Sequence, residues 1–97
     1  MDGRYGDAVI TPALSSDTAA LLLALGKRVR LLRRTSELTQ DELAVRAGMS
    51  RSFVSLIEHG RHGIDIARLA RLAAALDQPL STLIRDAELS TEQEEHR

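Results

Sequence analysis

A chain of 97 residues, 43% hydrophobic and 28% charged, has room for one compact core and not for a second, ligand-sensing domain. It contains no cysteine, which excludes a disulfide framework and a cysteine metal site; it opens on no signal pattern and holds no apolar run of bilayer length, so it reads as a soluble, cytoplasmic protein with no membrane partner. The formal net charge of -1 hides a segregation: ten basic residues face five acidic ones between Gly26 and Leu72, whereas five acidic residues face one basic residue between Asp86 and Arg97, giving a basic body and an acidic end.

In chain order, Met1 to Ser16 holds Gly3, Gly6 and Pro12 with no sustained period and reads as an arm, with Val9 and Ile10 as its apolar residues. A first helix is expected from Ser16 or Asp17 to about Thr35, with Leu21, Leu25, Val29 and Leu32 as its core stripe. Leu23, Ala24 and Leu31 lie off that stripe and Leu22 at its edge, which is more apolar surface than a domain of this size hides. Thr39 and Glu42 have the spacing of a capping box for a second helix, Gln40 to Ala47. There Leu43, Ala44 and Ala47 share a side and Gly48 stops the helix. Ser50 caps a third helix from Arg51 to about His59, which ends at Gly60. On it Phe53, Val54 and Ile57 point one way, and Arg51, Ser52, Ser55, Leu56 and His59 the other. Asp65 caps a fourth helix with Ile66, Leu69, Leu72, Ala73 and Leu76 buried. Pro79 introduces a short fifth carrying Leu80, Leu83 and Ile84, and after Ala87 a solvated, Glu-rich tail is expected.

The fold class is therefore all-α, five helices with two short ones meeting at a tight turn. Chemistry of other kinds finds little support. His59 and His62 lack a third ligand and have a glycine between them; no histidine–carboxylate arrangement activates a serine; no glycine-rich loop cradles a phosphate. No catalysis, metal or cofactor is expected.

Residues Leu25 to Ile84 resemble the phage-repressor-like helix-turn-helix family of bacterial and phage transcription regulators, the XRE-type group that includes the lambda and Cro repressors. The resemblance rests on an ordered set: Arg33, Thr39-Gln40-x-Glu42-Leu43-Ala44, Gly48, Ser50, Ser55, Glu58, Gly60, and the Leu69 to Leu76 helix followed by Pro79-Leu80-x-x-Leu83-Ile84. Leu56, where polar residues are common, and Ile64, where proline is frequent, depart from it. With the arm (1–16) and the acidic tail (88–97) read from composition, the resemblance implies a lambda-repressor-like DNA-binding domain over 17–87. It implies a cytoplasmic, nucleoid-associated regulator that binds double-stranded DNA as a homodimer on a pseudo-palindromic operator, with one third helix in each half-site.

On that reading Arg51, in the first turn of the reading helix, either grips a guanine edge or is a phosphate contact or an exposed surface charge. Ser52, Ser55 and His59 lie on the same side; Leu56 either packs on a thymine methyl or is an ordinary exposed leucine. Gln40 resembles the family's phosphate clamp, and Arg61 and His62 are expected on backbone phosphates. The resemblance also implies an ion pair between Arg33 and Glu58 that orients the reader. Dimerisation has two candidate surfaces: Leu22, Leu23 and Leu31 with Val9 and Ile10, or Leu80, Leu83, Ile84 and Leu89. Two rival functions stand beside this one, a DNA-binding subunit with a partner protein (an antitoxin or a restriction-modification controller) and a protein-interaction module without DNA.

Overall fold

The computed structural model describes residues 16–95; the arm, with Val9 and Ile10, lies outside the described residues. Five helices follow one another: α1 Ser16–Thr35, α2 Gln40–Ala47, α3 Arg51–Glu58, α4 Ile66–Ala75 and α5 Leu80–Glu95. No strand occurs among the described residues. The long α1 packs on α3 and α5, α2 packs on α3 and α4, and α4 packs on α5. The five most deeply buried large side chains, Val29, Leu43, Val54, Leu72 and Leu83, come one from each helix, so no helix can leave without opening the core. Each contributes about 1.5–3 kcal/mol of burial.

Local chemistry sets the helix starts. Thr39 Oγ1 accepts from the Glu42 amide at 3.0 Å, and Glu42 Oε1 accepts from the Thr39 amide at 2.9 Å, so both halves of the capping box are made. These bonds hold the Glu42 carboxyl below its usual range. Ser50 Oγ accepts from the Phe53 amide at 3.1 Å and Asp65 Oδ1 from the Arg68 amide at 2.8 Å.

The first four helices all stop by one device. Behind each, a residue at positive φ turns the chain so that two amides reach back to the last free carbonyls, the Schellman arrangement. The positive-φ residues are Glu37 (60°), Gly48 (69°), Gly60 (67°) and Asp77 (57°). The long reach-back bonds are Leu38 to Arg33 (3.0 Å), Met49 to Ala44 (3.0 Å), Arg61 to Leu56 (3.2 Å) and Gln78 to Ala73 (2.9 Å).

Three expectations need correction. Ile66 is 64% exposed: it shares a stripe with Ala73, but as the first residue of α4 it precedes the turn at which that helix meets the core. Ala24, off the expected stripe, is buried, because α1 is flanked by both α3 and α5 and its covered arc is wide. The last helix does not end near Ala87 but continues to Glu95. Its inner stripe passes from Leu83 and Ala87 to Ser90 and Thr91, which lie along α1. Ser90 borders a recess with Ala24, Lys27, Arg28 and Leu31, Thr91 one with Thr18 and Leu21, and Asp86 stands 3.8 Å from Arg28.

Candidate nucleic-acid interface

The tight turn between α2 and α3 is Gly48-Met49-Ser50. Gly48 adopts a left-handed backbone that leaves its Cβ position open, and Ser50 starts the next helix immediately. Small Ala44 and Ala47 on α2 are buried with Val54 and Ile57 on α3, which lets the two helices approach closely. The opposite face of α3 is left outside.

On that outer face Arg51, Ser52, Leu56 and His59 are exposed and Ser55 is half-buried. Gln40, from the start of α2, joins Arg51, Ser52, Ser55 and Leu56 around one shallow, open depression. His59 turns back on its own helix, its Nδ1 2.7 Å from the Ser55 carbonyl, at the rim of this surface. Arg61 and His62 are exposed in the following loop. That loop is braced by Phe53: the His62 ring packs edge-on against it at 5.4 Å between centroids, and the Arg68 guanidinium lies 4.9 Å from the ring centroid.

Beneath the depression sits Glu58, buried at 4% exposure beside Arg33 at 9%. Arg33 Nε donates to Glu58 Oε2 at 2.6 Å and Nη2 to Oε1 at 3.0 Å, while Nη1 donates to the Leu38 carbonyl at 2.8 Å. The fork thus ties the end of α1 to both the end of α3 and the loop before α2. Gln40 Nε2 donates to Glu58 Oε1 at 3.0 Å, and Arg30 Nε stands 3.6 Å from the same oxygen. Burial pushes the Glu58 carboxyl up, but the bonds from Arg33 and Gln40 and the charges of Arg33 and Arg30 outweigh it, and the net displacement is downward. The Glu58 hydrogen bond raises the Arg33 guanidinium above its usual value.

Several of these parts were not signalled by the sequence. Gln40, read as a clamp, is itself clamped by Glu58 and keeps one amide hydrogen for an outside acceptor. Arg30 belongs to the Glu58 cluster, and Asp41 stands 3.8 Å from Arg51. Gly26 lies against the end of α3: a Cβ there would collide with the Ile57 carbonyl and come within 2.7 Å of that of Glu58. Among the described residues no three His, Asp or Glu side chains could hold a metal ion, and no helix is long and apolar enough to cross a membrane.

Two short helices joined by a left-handed glycine, the second exposing a polar face and held from below by a buried ion pair, define a helix-turn-helix of the phage-repressor class. The family model for the helix-turn-helix domain matches residues 24–83, and the chain belongs to that family of DNA-binding transcriptional regulators. It is 31% identical over 72 residues to the immunity repressor protein of Bacillus phage phi105, covering 74% of this chain and 50% of that one; the chain thus spans about half the length of that relative. Among solved structures it is similar to the restriction-modification controller protein C.AhdI from Aeromonas hydrophila, at 35% identity and a TM-score of 0.63, covering 64% of this chain and 94% of that one. It is also similar to the clp gene regulator ClgR from Corynebacterium glutamicum, at 29% identity and a TM-score of 0.68, covering 77% of this chain and 84% of that one.

Proposed function

We propose that this chain is a sequence-specific DNA-binding regulator that acts as a homodimer on a pseudo-palindromic operator, each copy laying α3 in a major groove. The observation that carries the reading is the single open depression shared by Gln40, Arg51, Ser52, Ser55 and Leu56 on the outer face of a helix fixed from beneath by Glu58. Arg51, the first residue of α3, reaches a guanine edge; Ser52 and Ser55 add short donors, and Leu56 meets a thymine methyl. Gln40 offers its remaining amide hydrogen to a backbone phosphate. Arg61, His62 and His59 flank the groove and hold backbone.

The test is Arg51→Ala measured against the operator, found by selection from a random duplex pool, and its single-base variants. Binding is expected to weaken by about 1–3 kcal/mol with preference relaxed at one position; an equal loss on every sequence would show a phosphate contact instead. A second reading, the control subunit of a two-protein module, draws on the similarity to C.AhdI along 94% of that protein's chain. The two differ in genomic setting: a controller sits beside the genes of a restriction-modification pair.

A further inference from the structure

Asp41 is the second residue of α2 and Arg51 the first of α3. The turn places both helix starts on the same edge, and the Asp41 carboxylate comes to 3.8 Å from Arg51 Nε, with both side chains more than half exposed. The surrounding recess is otherwise basic, with Arg30, Arg33 and Arg34 on its wall beside Gln40. An acid here opposes the approach of any DNA phosphate, so it lowers affinity for every duplex alike. Two features of its position offset that cost. The carboxylate sits on the Nε side of the guanidinium, which leaves the two terminal nitrogens to form the paired bonds that a guanine edge accepts. It also repels an anionic phosphate that approaches Arg51 more than it repels a neutral guanine edge, and so weakens off-register complexes in which the guanidinium would rest on backbone. Discrimination is a difference of affinities, and a group that weakens the wrong complex more than the right one increases it.

We propose that Asp41 is a specificity-determining residue of the reading surface, positioning Arg51 for a guanine edge and withholding it from backbone phosphate at other sequences. This rests on the reading of Arg51 as a base contact. Asp41 touches nothing in the core, so its substitution leaves the fold in place, which circular dichroism checks.

The experiment selects bound duplexes from a random pool with the parent chain, Asp41→Asn, Asp41→Glu, Arg51→Ala and the Asp41→Asn/Arg51→Ala double variant, then measures affinities for the selected site, its single-base variants and an unselected duplex. Asp41→Asn is expected to bind the unselected duplex about two- to fivefold more tightly and to lose a similar factor of preference at the Arg51 base, the scale of one exposed ion pair. Asp41→Glu restores the preference, and in the Arg51→Ala background Asp41→Asn no longer changes it. Tighter binding to all duplexes with base preference intact would reduce Asp41 to simple repulsion and overturn the assignment alone. A parent chain that selects no sequence, or an Arg51→Ala variant that keeps the full preference of the parent, overturns the operator reading or the Arg51 role beneath it.

Discussion

Glu58 anchors α3 on one carboxylate. It accepts from Arg33 and Gln40 and faces Arg30, so side chains of α1 and α2 converge on the last residue of α3. Removing it leaves the Arg33 guanidinium buried against carbonyls with its charge unpaired. Glu58→Ala is therefore expected to cost about 3–5 kcal/mol in chemical denaturation; a midpoint equal to the parent's would show that the pair contributes no stability. Because the folded-state pKa of Glu58 lies below its unfolded value, its share of stability is present above the ordinary carboxylate range and is lost as pH falls through the folded-state value. Glu58→Gln should accordingly flatten the acid limb of the stability profile below about pH 4, and an unchanged limb would place the acid sensitivity elsewhere.

At the level of helices, the sequence was legible wherever chemistry is local. Thr39 with Glu42, Ser50, Asp65, Gly48 and Gly60 are neighbours of the bonds they make, and the ends of α2 follow from them directly. The signals fail where a partner is distant. Gln40 reads as a phosphate clamp and not as a partner of Glu58, because its bond to Glu58 spans 18 positions. The stripe of α5 passes into Ser90 and Thr91, polar residues that a hydrophobic period does not register, although α1 covers them. Gly26 reads only as a weak point in a helix; its purpose appears when α3 arrives against it. Gly26→Ala should push the Ile57 and Glu58 carbonyls away and destabilise by about 1–3 kcal/mol, the usual range for overpacking. Gly63→Ala, whose Cβ would meet nothing within 4 Å, is the control, and equal melting points for the two variants would refute the close approach.

For the whole molecule, the proposed dimer must use surface that the core does not. Leu83, at 1% exposure, is core, so a charge there unfolds the chain rather than separating copies. Leu23 and Leu31 are 49% and 54% exposed and Leu89 is 44% exposed, but they do not share one set of neighbours. Leu23 lies against Gly60, whereas Leu31 borders the recess that Ser90 completes from α5. Of the two exposed leucines of α1, only Leu31 thus stands beside α5, the helix that also carries Leu89. Sedimentation equilibrium on Leu31→Glu and Leu89→Glu is expected to show monomers with parental helicity, while Leu23→Glu stays dimeric; the reverse pattern would move the interface to the Gly60 end of α1. The helix endings carry a consequence of another kind. Two of the four are built on Gly48 and Gly60, but Glu37 and Asp77 hold the same left-handed backbone with side chains that crowd it. Glycine there removes that crowding at some cost in chain entropy, a net gain of about 0.5 kcal/mol each. Glu37→Gly with Asp77→Gly should raise the melting point by roughly 4–8 °C, and a lower one would show that these side chains do something else. The chain thus keeps an unused thermal margin at two of its helix ends, available to laboratory evolution.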